Sequence, residues 1–202
     1  MNVLLIGSGA REHAIAWKLR QSPRLDELFA APGNPGTASL GTNLSMGDAD
    51  HEAIARACRD LKIDLVVVGN EDPLAAGLVD RLAVEGIAAF GPTKAAAEIE
   101  SSKVFAKELM ARHGIPTAAF AVFDEFEAAR SYVEAQGGGP VIKADGLAKG
   151  KGVIVPPSKN DALEALDLVM VRRKFGAAGD RVVIEERLSG CEVSAHAFTD
   201  GE

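Results

Sequence analysis

The chain has 202 residues, enough for one large domain or for one domain and part of another. Apolar residues make up 47 % of it, so a sizeable core can form. The net charge of −7 argues against a nucleic-acid surface, which needs clustered Lys and Arg to neutralise phosphates.

Two cysteines, Cys58 and Cys191, lie far apart and outside any zinc spacing, which fits a reducing compartment. Met1 leads directly into an apolar stretch with no cationic leader, and no apolar run approaches the roughly 20 residues of a membrane span. The expectation is a soluble, cytoplasmic protein that engages neither membrane nor nucleic acid.

Residues 3–6 read as a short strand ending in Gly7-Ser8-Gly9, followed by a helical pattern through Ala14, Ile15 and Leu19. A second strand at 28–31 runs into the turn-rich Pro32-Gly33-Asn34-Pro35-Gly36. A helix at 51–61 precedes the continuous β-branched run 65–68, the mark of a strand covered on both faces. A helix at 74–84 and a strand at 87–90 complete the alternation, which predicts an open parallel α/β sheet over about the first 90 residues.

The pattern changes after Pro92. Helices are predicted at 93–100 and 102–113, a strand at 119–123, a helix at 125–136, and strands at 141–143 and 153–155. A helix over 161–173, capped by Asn160, precedes strands at 181–186 and 193–198. Strands joined through a glycine-rich loop form a small α+β lobe, with a domain boundary near 92–101. The chain ends on a turn signal just after a predicted strand, so the expectation is an incomplete chain lacking a C-terminal partner.

Gly7-Ser8-Gly9-Ala10-Arg11-Glu12 stands at a strand-to-helix turn, where free N–H groups and the helix dipole favour an anion. A dinucleotide fingerprint would place glycine at position 12 and an acid at the tip of the second strand, so Glu12 and Ala31-Pro32-Gly33 disfavour NAD. A phosphate-bearing small molecule beside Arg11 and a turn that binds nothing both remain open. His13 has two readings on the same helix, lining that site or packing as an ordinary helix histidine.

Lys143 lies on an apolar run and should meet an anion, because an unpaired buried ammonium is costly. Asp145, Glu185 or a nucleotide phosphate would serve. Lys149 and Lys151, in the loop Gly146–Gly152 with Gly150, favour phosphate, although the loop is not a P-loop: Gly152 stands where Ser or Thr would hold magnesium. Glu185, Glu186, Leu188 and Glu192 follow the apolar 182–184 and suit an adenosine edge or a merely solvated acidic one. The remaining histidines show no ligand spacing, and no Ser-His-Asp arrangement is visible.

The order of these pieces resembles the phosphoribosylamine–glycine ligase family of the ATP-grasp superfamily. The motifs are Gly-Ser-Gly-Ala-Arg-Glu-His-Ala (7–14), Ala-Pro-Gly-Asn-Pro-Gly (31–36), Ile-Asp-Leu-Val-Val-Val-Gly (63–69), Phe-Gly-Pro-Thr (90–93), Ser-Lys (102–103), Arg-His-Gly-Ile-Pro-Thr (112–117), Ile-Lys-Ala-Asp-Gly-Leu-Ala-Lys-Gly-Lys-Gly-Val (142–153) and Ile-Glu-Glu-Arg-Leu-Ser-Gly-Cys-Glu-Val-Ser (184–194).

The resemblance implies an N-terminal Rossmann-like, pre-ATP-grasp sheet domain over 1–100. It implies the first part of an ATP-grasp fold over 101–202, with a small α+β lobe at about 117–188. By the same resemblance Lys103 and Lys143 contact phosphates, and Gly146, Lys149, Gly150, Lys151 and Gly152 belong to the nucleotide flap. Glu185, Glu186 and Leu188 form the adenine-side hinge, Glu192 binds ribose, and Gly9, Ala10, Arg11 and Glu12 face phosphoribosylamine.

The implied reaction joins glycine to 5-phosphoribosylamine at the expense of ATP in purine biosynthesis, through glycyl phosphate. Magnesium or manganese accompanies ATP in the complete enzyme, held by residues of a C-terminal half outside this chain, without which the 202 residues are expected to be inactive. Ala10 departs from the usual glycine, and Gly69-Asn70-Glu71-Asp72-Pro73-Leu74 replaces Gly-Pro-Glu-x-Pro-Leu with Glu71 in place. The competing readings are another ATP-grasp carboxylate–amine ligase, a non-catalytic nucleotide-binding module and, more distantly, a dinucleotide oxidoreductase.

Overall fold

The computed structural model describes residues 1–148 and 150–197. The chain divides into two compact units, Met1–Ala106 and Lys107–Glu202.

The first unit is built on a five-stranded, wholly parallel sheet. Its strands are β1 (Val3–Gly7), β2 (Leu28–Pro32), β3 (Thr42–Asn43), β4 (Leu65–Val68) and β5 (Ala89–Phe90) in the order β3-β2-β1-β4-β5. Its central strands are apolar throughout because helices cover both faces. Leu4, Ile6, Val66 and Val68 pack with Ile54 and Cys58 of α3 (His51–Asp60) and Leu78 and Leu82 of α5 (Leu78–Val84), while Val3, Leu5 and Val67 meet Ala16 of α1 (Ala10–Leu19) on the opposite side. Burial pushes the Cys58 thiol up to about 11.

Two elements escape the periodicity. The four-residue helix α2 (Pro35–Ala38) forms because Asn34 accepts from the N–H groups of Gly36 and Thr37 at 2.8 and 3.0 Å. The two-residue β3 is too short to show alternation. The single helix expected over 74–84 is two, α4 (Glu71–Ala76) and α5, because Gly77 turns left-handed at φ 91° between them. Helix α6 (Lys94–Ser101) is capped by Thr93, and α7 (Lys103–Arg112) follows directly.

The second unit holds a four-stranded antiparallel sheet in the order β6-β9-β7-β8, from β6 (Phe120–Phe123), β7 (Val141–Ala144), β8 (Val153–Ile154) and β9 (Val182–Glu185). Ile142, Ala144, Val182 and Ile184 point to one face and pack on Ala129 and Val133 of α8 (Phe126–Ala135) and Ala162, Ala165 and Leu166 of α9 (Lys159–Leu166). The alternation of β strands therefore sends Lys143, Val183, Glu185 and Phe120 to the opposite face.

Three expectations are corrected here. The N-cap of α9 is Ser158, not Asn160: the Ser158 hydroxyl accepts from the Asp161 N–H at 3.2 Å, and Asn160 sits inside the first turn. The helix does not run evenly to Arg173; it passes into a π-helical segment, Asp167–Val171, and stops near Arg173, which is left-handed at φ 49°. Residues 193–197 form no strand. Their alternating apolar side chains have the capacity for one, but no described strand pairs with them, and a lone strand has nothing to satisfy its backbone. Phe198, the last residue of that expected strand, lies outside the described residues. Among the described residues no helix is long and apolar enough to cross a membrane.

Candidate functional sites in the two units

In the first unit the residues of interest gather where the strand order reverses, at the C-terminal ends of the adjacent strands β1 and β4. Open α/β sheets bind their ligands at such a point. Gly9 is the N-cap of α1, but the Glu12 side chain turns back and accepts from the Gly9 N–H at 2.6 Å. Glu12 is only 3 % exposed. A Cβ at Gly7 or Gly69 would come within 2.6 or 2.5 Å of the Glu12 side chain. The close approach that a dinucleotide fold obtains from a glycine on the helix is thus reversed: glycines on the strand ends make room for a glutamate.

Arg11 is exposed and lies 3.3 Å from Glu12 and 3.0 Å from Glu71, the first residue of α4. The bond to Glu71 is the main cause that raises the Arg11 guanidinium above its ordinary value. The Glu71 carboxyl is held below its ordinary range, first by its own backbone N–H and then by Arg11. Ala10 is exposed at the start of α1. Asn34 donates to the carbonyls of Ser8 and Gly9 at 3.0 Å each, tying this turn to α2. His13 is exposed and packs its ring against Gly36, where a Cβ would come within 2.5 Å.

In the second unit the centre is Glu185, 5 % exposed on the inner strand β9. Lys143 reaches it diagonally from β7, with Nζ 2.8 Å from Oε2. Lys107 of α7 places its Nζ 3.2 Å from the same oxygen. Lys107 is itself 8 % exposed, donates to Thr117 Oγ1 at 2.7 Å and lies 5.6 Å from the centre of the Phe120 ring. Glu185 Oε1 is buried and has no hydrogen-bond partner among the described residues. Of the two carboxylates considered for Lys143, Glu185 takes the lysine, while Asp145 pairs with Arg181 at 2.6 Å.

The loop between β7 and β8 turns left-handed at Gly146 (φ 111°) and Gly150 (φ 74°). Gly152 is buried, and a Cβ there would come within 2.7 Å of the Ala148 Cβ; Lys151 is exposed. Lys149, expected on this loop, lies outside the described residues. After β9 the Glu186 backbone and carboxylate both bond Ala119, at 2.9 Å each. Leu188 and Glu192 follow in an exposed stretch, Leu188 at 69 %. Lys103 lies on α7, four residues before Lys107 and hence on the same helix face. Sequence reasoning passed over Lys107 and Thr117. The signal available for Lys107 was that four-residue spacing.

Residues 1–100 match the model of the N domain of phosphoribosylglycinamide synthetase, and residues 101–202 match its ATP-grasp (A) domain. The phosphoribosylamine–glycine ligase of Rhodopirellula baltica is 49 % identical over the whole of this chain, which covers 47 % of that relative. The human trifunctional purine biosynthetic protein adenosine-3 is 52 % identical over 99 % of this chain and 20 % of its own length. Among solved structures, the phosphoribosylamine–glycine ligase of Thermotoga maritima superposes with a TM-score of 0.78 at 34 % identity, covering 95 % of this chain and 45 % of that one. The chain thus spans a little under half the length of the single-function relatives it matches. With a parallel sheet followed by the antiparallel sheet that carries Lys143 and Glu185, and with both family models matched end to end, the chain belongs to the phosphoribosylglycinamide synthetase family of ATP-grasp proteins.

Proposed function

We propose that residues 1–202 supply the nucleotide-holding and amine-facing parts of an ATP-dependent ligase that joins glycine to 5-phosphoribosylamine in purine biosynthesis. The observation that carries this reading is the Lys143–Glu185 pair beside the glycine-rich loop, with a buried Glu185 oxygen that has no donor among the described residues. Lys103 and Lys143 take the phosphates. Residues 146–152, with Lys149 and Lys151, fold over them. Glu185, Glu186 and Leu188 flank the adenine, and Glu192 accepts from the ribose hydroxyls. Gly9, Ala10, Arg11 and Glu12 face the phosphoribosylamine. The proposed domain limits are 1–100 and 101–202, with the small lobe at about 117–188.

In this reading the glycine carboxylate attacks the γ-phosphorus of ATP and releases ADP. The phosphoribosylamine nitrogen then attacks the acyl carbon of glycyl phosphate, expels phosphate and loses a proton to give the amide. Two lysines on the nucleotide hold charge that would otherwise oppose the carboxylate's approach. Among the described residues no group of three or more His, Cys, Asp or Glu side chains is placed to hold a metal ion. Magnesium enters this reading as a partner of the nucleotide's phosphates. The buried free thiol of Cys58 suits a reducing, cytoplasmic setting.

The test is ATP binding to the 202-residue chain, measured by titration calorimetry, with Lys143→Met alongside. Glu185 keeps Lys107 in that variant, so the fold should survive. A loss of affinity of about tenfold or more is expected when a charge-assisted phosphate contact disappears. Equal affinity in both proteins, or no binding by either, would overturn the reading.

A further inference from the structure

Two ammonium groups converge on a single oxygen of Glu185, and they are held very differently. Lys107 is buried and anchored three ways, to Glu185, to the Thr117 hydroxyl and against the Phe120 ring. The Lys143 side chain is 24 % exposed, against 10 % for Lys107, and its only ion-pair partner among the described residues is Glu185. One carboxylate is thus compensated twice, by a fixed cation and by a more accessible one.

We propose that Lys107 is a positioning residue, the standing counter-ion of Glu185, which frees Lys143 to turn to a nucleotide phosphate. The inference rests on the nucleotide reading above. A buried carboxylate that loses its sole cation is left uncompensated, and that cost would be charged against binding. With Lys107 in place the cost does not arise, because Oε2 keeps an ammonium 3.2 Å away whichever way Lys143 turns. The Thr117 bond and the ring contact hold Lys107 back from following the phosphate. Lys107 acts through Glu185 and Lys143 and is not required to touch the ligand.

The test compares ATP and adenosine binding to the 202-residue chain, Lys107→Met, Glu185→Gln and the double variant, with circular dichroism melting as a check on folding. In Lys107→Met the affinity for ATP should fall about tenfold or more, because Lys143 must stay on Glu185. Adenosine, which has no phosphate, should bind as it does to the unaltered chain. A merely structural loss would weaken both ligands together. In the Glu185→Gln background Lys143 has no carboxylate to stay on, so adding Lys107→Met should leave ATP affinity within about twofold of the Glu185→Gln value. That last comparison carries the test even if Lys107→Met alone fails to fold. ATP affinity unchanged in Lys107→Met, or the full loss persisting in the Glu185→Gln background, would overturn the inference and leave the nucleotide reading standing. Failure of the unaltered chain to bind ATP would overturn both.

Discussion

Arg11 donates to Glu71 across 3.0 Å, joining the first turn of α1 to the first turn of α4 at the ends of two neighbouring parallel strands. The same guanidinium lies 3.3 Å from the buried Glu12. One cation therefore holds two carboxylates at the point where the strand order reverses. This corner of the molecule presents an arginine that is already engaged, rather than a bare ring of N–H donors.

Glu71→Gln tests that pair through its pH dependence. Glutamine keeps an oxygen to accept from the backbone N–H and removes only the charge. Because the native carboxyl is held below its ordinary value of 4.5, its charge stabilises the fold above that value, and the contribution fades as pH falls through the lower folded value. Denaturant unfolding should show the variant less stable near neutrality by about 0.2–1 kcal/mol, since both side chains are substantially exposed to solvent. The gap should close as the pH drops below 4.5. A gap of constant size down to strongly acidic pH would show that the charge is not what matters.

Gly69→Ala probes the room left for Glu12. The added methyl would come within 2.5 Å of a side chain that is itself 3 % exposed and has little space to retreat. Overpacking of this kind costs about 1–3 kcal/mol. In a Glu12→Ala background the obstacle is gone, and the same substitution should cost much less. Urea melts of the four proteins give the coupling directly, and strict additivity would contradict the close packing.

At the start of α9, Ser158→Ala should lower stability by about 0.5–2 kcal/mol, because the hydroxyl that accepts from the Asp161 N–H disappears. Asn160→Ala changes a residue inside the first turn and should be nearly neutral. A larger loss at position 160 than at 158 would restore asparagine as the cap.

Much of the fold was legible because its signals are local. Val66-Val67-Val68 could only suit a strand covered on both faces, and Gly91-Pro92 could only close one. Where local signals competed, position within the turn decided. Ser158 and Asn160 are both acceptable caps, and the backbone places the serine first. Gly77 sits inside an apolar helical pattern, and only its left-handed conformation divides that pattern into two helices. Residues 193–197 carry the alternation of a strand, but pairing is a property of a neighbour, and none of the described strands provides it.

The sequence by itself determined the two sheet types, the glycine-rich loop and the need of Lys143 for an anion, since each follows from periodicity, glycine content or the cost of a buried charge. Only the tertiary structure decided which groups meet. It turned Glu12 back onto Gly9, where a glutamate could equally have faced solvent. It gave Lys143 to Glu185 instead of Asp145, and it brought in Lys107 from a helix whose sequence pattern had no tie to either strand. The physical reason is that side-chain periodicity reports the face of an element, while ion pairing requires two faces to arrive within about 4 Å, which the packing of α7, β7 and β9 alone achieves.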